Sequence, residues 1–364
     1  MSFEFVPYES TERFDDIQKL VQSEFNIIQG YIDFGIPSFI IAKGPTKKPF
    51  RNLVQKMKVQ GYIPKLKKSG ETLIIRVINR PTVKPSRWEI NLSLFLITAV
   101  SVLYSGYLAS TNPVLNELQS VSNVVLQTIM FCGAVFAIIG LHEFGHLIAS
   151  VLRGKEVTLP YFIPGIPPIG TFGAVIMQKE PPINRDEIFD VGSSGPIVGF
   201  IITAIIAFIG LQEGFSFTVS NTLLESLIDK YPGAIGGISL PILLQSFISL
   251  RPVMPDHTLI LGPLAYTAYV GTFLTFLNLL PAWQLDGGWI SLSVLGEKWH
   301  RILSWASVFF LFLFGAWFMA FFILYGLSRS GRMSPLDEVS PLSSSRKLIA
   351  VVCLIIFILC FSFF

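Results

Sequence analysis

Leu141-His142-Glu143-Phe144-Gly145-His146-Leu147 closes a long apolar run, and the fold turns on how that run is read. His142 and His146 stand four residues apart, so on a helix they share one face and can converge on a zinc ion. Glu143, beside them, is placed to take a proton from a water that the metal activates. The run carrying them, residues 123–152, would make a helix of roughly 45 Å against a hydrocarbon layer of about 30 Å. The motif therefore falls toward one end of a membrane span. The competing reading is a pair of membrane histidines bonded to backbone, and the rest of the chain has to decide between the two.

The chain has 364 residues, of which 51% are hydrophobic and only 14% charged, with mean hydropathy +0.60. Soluble domains carry about 25% charged residues, so much of this chain is built for lipid. A net charge of +3 argues against a nucleic-acid binder. Cys132, Cys353 and Cys360 all lie in apolar runs without C-x-x-C spacing, which suggests neither a disulfide framework nor a thiolate zinc site. The polar, mixed-charge opening shows no signal-peptide pattern.

Residues 1–87 read as a small soluble α+β domain. Helical spacing of Phe14, Ile17, Leu20, Val21 and Phe25 predicts a helix over 11–28, after the possible caps Ser10 and Thr11. A short β-prone run follows at 36–42, then a basic helix with Phe50, Leu53, Val54 and Met57 inward, and a strand over 71–78. The basic face fits proximity to an anionic membrane better than nucleic acid, and the domain reads as regulatory or substrate-docking. Beyond it the hydropathy pattern predicts about six spans, at 91–108, 123–152, 193–211, 262–280, 302–326 and 347–364. Residues 88–326 then form a transmembrane core, and 327–364 a loop and final helix. Lys65, Lys67, Lys68, Arg76, Arg80, Lys84 and Arg87 precede the first span, while 109–122 has no Lys or Arg, so the amino terminus is expected in the cytoplasm. The loop after the motif, with Arg153, Lys155, Lys179 and Arg185, returns there. On this scheme the connection before the last span is external, although it carries Arg329, Arg332 and Arg346.

A catalytic zinc usually takes three protein ligands, so the two histidines need a third. His257, His300 and several carboxylates are available. Asp286 is the most suggestive, in Asn278-Leu279-Leu280-Pro281-Ala282-Trp283-Gln284-Leu285-Asp286-Gly287-Gly288, because an acid directly after a buried helix is costly unless paired. Pro281 breaks the helix, and Gly287-Gly288 lets the backbone turn closely around a site. Span parity brings Asp286 to the face of His142 and His146 only if residues 236–250, apolar but short and interrupted by Pro241, do not cross.

Together these residues resemble the site-2 protease family of intramembrane zinc metalloproteases (peptidase family M50), closest to its archaeal and plant-chloroplast branch. HEFGH and NLLPAWQLDGG match its two motifs in order, and Gly170-Thr171-Phe172-Gly173-Ala174-Val175-Ile176 and Asp190-Val191-Gly192-Ser193-Ser194-Gly195-Pro196 extend the likeness over roughly 88–326. The resemblance implies one zinc ion held by His142, His146 and Asp286, with Glu143 as general base and then acid. It implies hydrolysis of single-span membrane proteins in or near the bilayer, and a multi-pass protein of the cell membrane with its active-site side cytoplasmic. Asn278 reads as an auxiliary donor to substrate or oxyanion, or equally as a cap for carbonyls freed by Pro281. Gly170, Thr171, Phe172, Gly173, Ala174 and Val175 form a β-prone, membrane-embedded re-entrant segment. An extended substrate could pair with its edge, against the plainer role of packing the site. The expected fold is a polytopic α-helical membrane protein with that segment and an N-terminal α+β domain. Two rival readings are a membrane zinc protease with Glu180 or Glu187 as third ligand, and a non-catalytic metal-binding membrane protein, which would have no need of Glu143.

Overall fold

Amphipathic sequence builds the amino-terminal part of the chain. In this computed structural model, which describes residues 11–80, 87–119, 123–250, 254–329 and 334–362, its elements are α1 (Thr11–Gln22), β1 (Ile27–Asp33), β2 (Ile36–Ile41), α2 (Lys47–Val59), β3 (Tyr62–Ser69) and β4 (Thr72–Asn79). Ser10, Lys84 and Arg332, named above, lie outside the described residues. The four strands form an antiparallel sheet in the order β1-β2-β4-β3. Ile17 and Val21 of α1 and Phe50, Leu53 and Met57 of α2 pack with Phe39, Ile41, Leu66, Ile75 and Val77 from the sheet. The helix expected over 11–28 stops at Gln22. Residues 27–33 form a strand instead, because Phe34 and Gly35, both at positive φ, make the two-residue turn that pairs it with β2. β3 has no counterpart in the sequence pattern, since its lysines disguise a strand whose Pro64 and Leu66 are buried.

The apolar runs give helices. α3 (Trp88–Ser110) leads through α4 (Pro113–Leu118) to α5 (Val124–Leu152), and after a hairpin of β5 (Tyr161–Pro164) and β6 (Thr171–Val175) comes α6 (Arg185–Gly210). Of the described helices, α3, α5 and α6 are long and apolar enough to cross a membrane. α6 begins well before the expected residue 193, at an Asn184 cap whose side chain accepts from the Glu187 N–H.

The chain then makes an excursion through β7 (Ser216–Ser220), α7 (Asn221–Lys230), α8 (Ile242–Ser249) and β8 (His257–Leu261) before α9 (Pro263–Leu279). β7 pairs with β8 so that Ser216 faces Leu261, and the backbone of Gly210 lies against that of Ala265. The excursion thus ends where it began. α8, at eight residues, is about 12 Å long and crosses nothing.

After α9 come α10 (Asp286–Leu295), α11 (Glu297–Leu313), α12 (Trp317–Arg329) and α13 (Ser344–Leu359). Here the expectation of one span over 302–326 needs correcting. The run breaks at Gly315, whose φ of 78° does not continue a helix, and α12 folds back along α11. Trp283 fixes the return: its N–H donates to Ser304 Oγ of α11 (3.1 Å), and its ring packs on Gly326 and Phe322 of α12. Phe312 and Phe321 meet edge-on at 5.2 Å nearer the bend.

The connection after α12 consequently emerges beside the amino-terminal sheet, not at the opposite end as parity over six single spans required. Leu66 N–H donates to Leu336 O (2.8 Å) and Glu338 N–H to Leu66 O (3.1 Å), so 336–338 extend the edge of β3, and Leu336 joins Ile183 in completing that core. α13 then runs alongside α6 and stacks Phe357 on Phe276 of α9 (4.8 Å).

Candidate metal centre

α5 presents His142 and His146 one turn apart on its buried face, with Glu143 also buried. α6 crosses this face with glycines where side chains would collide. A Cβ on Gly195 would fall on the His146 ring, one on Gly199 would lie 2.9 Å from His142 Nδ1, and Gly145 lies against the Ser194 carbonyl. The DVGSSGP stretch therefore packs the two helices closely, as expected for a Gly-rich helix start, and Ser194 Oγ donates within its own turn to Val191 O (2.9 Å).

The third group arrives from the break after α9. Asp286 opens α10, and Gly287 and Gly288 allow it: a Cβ on either would overlap the carbonyls of Leu279 or Trp283. His142 Nε2 then stands 3.2 Å from Asp286 Oδ2, His146 Nε2 3.3 Å from Asp286 Oδ1, and the two Nε2 atoms 3.1 Å apart. Ligand atoms at about 2.0 Å from a tetrahedral zinc are about 3.3 Å from one another, so these spacings fit the ion. The protonation pattern fits as well. His146 Nδ1–H donates to Val191 O (2.7 Å), which leaves its Nε2 lone pair facing a carboxylate oxygen, two acceptors that a divalent cation would satisfy. Among the described residues this is the one cluster of three His, Cys, Asp or Glu groups with metal-binding spacing.

A cavity of about 210 Å³ opens on the trio, lined also by Glu143, Asn278, Trp289, Ala174, Val175 and Ile176. Glu143 Oε2 accepts the Ile176 N–H (3.0 Å), so the residue following β6 orients the carboxylate. β6 pairs with β5, and its last residues, Ala174 and Val175, line the cavity. The hairpin is held against α3 and α5 by the Phe95, Phe136 and Phe162 rings and by Gly170, which sits on the backbone of Ser101 and Val102. Of Gly170 to Val175, Ala174 and Val175 line the cavity, while Gly170 lies against α3 and Phe172 stacks on Phe318. Asn278 lines the same cavity.

The rival ligands lie elsewhere. Glu180 is paired with Lys58 (2.8 Å) and Arg80, and Glu187 accepts from Ile183 N–H (2.8 Å) and pairs with Lys155 (3.3 Å). His257 sits on β8 beside the Pro255 carbonyl, and His300 is buried against Ser291 Oγ (3.0 Å). Two groups that touch the site had no signal in the sequence, the Val191 carbonyl and the Ile176 N–H, because both are main-chain.

A His-Glu-x-x-His helix joined to an aspartate at the start of another helix, within an apolar helical bundle, defines a membrane-embedded site of the metallopeptidase kind. The comparisons agree. The family described as Peptidase family M50 matches residues 130–322, more than half of the chain, and the chain belongs to that family. It is 30% identical over 210 residues to the probable zinc metalloprotease EGY2, chloroplastic, of Arabidopsis thaliana, covering 55% of this chain and 35% of that protein. It is 27% identical over 280 residues to the protein of the same name from Oryza sativa subsp. indica (72% and 48%), and 23% identical over 235 residues to the probable zinc metallopeptidase EGY3, chloroplastic, of Arabidopsis thaliana (59% and 39%). The chain spans between a third and a half of the length of these relatives. No solved structure matches it.

Proposed function

We propose that this protein is an intramembrane zinc metalloprotease that hydrolyses peptide bonds of single-span membrane proteins. The observation that carries the reading is the triangle of His142, His146 and Asp286 with Glu143 beside it at the edge of β6. His142, His146 and Asp286 would hold the ion. Zinc there supplies Lewis acidity, polarising a carbonyl and bringing the pKa of water toward about 7. Glu143, with one oxygen fixed by the Ile176 N–H, keeps the other free to accept a proton as water oxygen bonds to the scissile carbonyl carbon. It returns that proton to the amide nitrogen as the C–N bond breaks. Asn278, on the cavity wall, serves as an auxiliary hydrogen-bond donor to substrate or to the tetrahedral oxyanion. Gly170 to Val175 receive the substrate. A transmembrane helix shields its peptide bonds by its own hydrogen bonds, and pairing with the β6 edge would compensate the unwound backbone in a place without water.

The membrane arrangement follows from which ends meet. α3, α5, α6, α9 and α13 cross the bilayer, and α11 with α12 forms a hairpin that enters and leaves on one face. The hairpin rests on the turn at Gly315 and on α12 packing back along α11, not on length, since α11 at 17 residues is as long as α9. Five crossings and a hairpin place residues 11–80, the motif end of α5, and the 334–346 connection together on the cytoplasmic side. Arg329 and Arg346 then obey the positive-inside rule they seemed to break. The α+β domain, with the 336–338 segment on its sheet, is a docking or regulatory module over the entrance to the site. The reading is tested by cleavage of a single-span reporter by purified protein, lost in Glu143→Ala.

A further inference from the structure

Beside the metal triangle, but outside it, five charged groups from separate parts of the chain converge on the first turns of α6. Asp190 takes both Arg346 nitrogens, Nε at 2.7 Å and Nη2 at 2.9 Å, and also pairs with Arg153 at the end of α5. Asp186, one turn earlier, pairs with Lys47 of α2 (2.7 Å) and Arg346 (3.1 Å), and accepts from the N–H and Oγ of Ser343. Arg346, Asp190 and Arg153 are all at least three-quarters buried. A planar bidentate pair of this kind fixes direction as well as distance. The residue after Asp190 is Val191, whose carbonyl receives His146 Nδ1–H.

We propose that Asp190 and Arg346 are positioning residues for the metal site. Arg346, at the start of α13, and Arg153, at the end of α5, clamp Asp190 from two sides. The clamp sets the height of α6 against α5, so that the Val191 carbonyl meets His146 and selects the tautomer with Nε2 free toward Asp286. Without it α6 can slide. The carbonyl that orients the imidazole moves away, and Gly195, which has no room to spare against the same ring, moves with it. A histidine's partner on its far nitrogen commonly decides metal affinity by about ten- to a hundredfold. Arg346 lies eight residues beyond Glu338, the last residue bound to the edge of β3, so the amino-terminal sheet and the site are joined through this connection.

This inference rests on the zinc reading above, and the test separates the two. Zinc affinity of the whole 364-residue chain in lipid nanodiscs is measured by competition with a chromogenic chelator, and kcat and KM on a single-span reporter are measured separately. Arg346→Ala and Asp190→Asn should bind zinc about ten- to a hundredfold more weakly, with kcat lowered and KM unchanged, and Arg346→Lys should recover part of the loss. Lys58→Ala breaks a pair with Glu180 at the same interface without touching α6, so it should lower thermal stability but leave zinc affinity at the wild-type value. Wild-type affinity in Arg346→Ala and Asp190→Asn, or an equal loss in Lys58→Ala, would overturn the proposal. If Arg346→Ala does not fold, Asp190→Asn and Arg346→Lys decide by the same comparison. Asp286→Ala distinguishes the levels: if it keeps zinc, the metal reading itself fails; if it loses zinc while the clamp variants do not, only the positioning role fails.

Discussion

Single atoms decide this site. His146 has its Nδ1 proton committed to the Val191 carbonyl and its ring pressed against the α-carbon of Gly195, leaving Nε2 one direction in which to act. A methyl group at 195 would occupy the ring's place. Gly195→Ala should therefore cost about 1–3 kcal/mol through overpacking and abolish stoichiometric zinc binding, read by metal analysis of the purified protein. Gly133→Ala and Gly140→Ala, on α5 with His146 but facing open space, should bind zinc normally. Loss in all three would mean that α5 and α6 tolerate no added methyl group, and would remove the argument from Gly195. The second residue-level test concerns Glu143. Ile176→Pro deletes the N–H that holds Oε2, and leaving a buried acceptor unpaired costs about 1–3 kcal/mol, more when it is charged. Cleavage should fall about tenfold to a hundredfold with zinc retained. Unchanged cleavage would show that this hydrogen bond does not orient the base.

At the scale of elements, hydropathy made the long helices legible, and the His and Asp chemistry picked out two motifs that meet in space. The misses share a cause, for each was a change of direction that composition does not encode. Residues 302–326 are apolar throughout, and one glycine at position 315 turns them into two antiparallel helices. β3 is hidden by Lys65, Lys67 and Lys68, the first two of which reach Ser334 and Glu338, some 270 positions away in sequence. The helix expected over 11–28 overlaps β1 only at Ile27 and Ile28, and the deciding signal is the Phe34-Gly35 turn beyond them. The main-chain donors and acceptors of the site left no trace in side-chain types. Gly315→Ala puts a side chain at a φ of 78°, which costs about 1–2 kcal/mol, so the melting temperature in detergent should drop. An unchanged or raised melting temperature would argue for a continuous helix there.

For the whole molecule, the excursion between α6 and α9 and the hairpin of α11 with α12 are two detours that each return to their starting side. They bring Asp286 back to the histidines, and the 334–346 segment back to the sheet. Cys132, Cys353 and Cys360 are buried, so added cysteines can be labelled against a low background. With a membrane-impermeant thiol reagent, Lys43→Cys and Ser334→Cys should label from the same face, and Asp229→Cys on α7 from the opposite one. Labelling of positions 43 and 334 from opposite faces would restore a single crossing over 302–326 and separate the sheet from the segment bound to it.

The most direct test of the central claim takes zinc content and cleavage together on one variant. Glu143→Ala protein, purified in lipid with a single-span reporter, should hold one zinc per chain as the wild type does and cut the reporter at less than about a thousandth of its rate. Wild-type cleavage by this variant, with zinc in place, would contradict the assignment of Glu143 as the general base and with it the proposed protease mechanism.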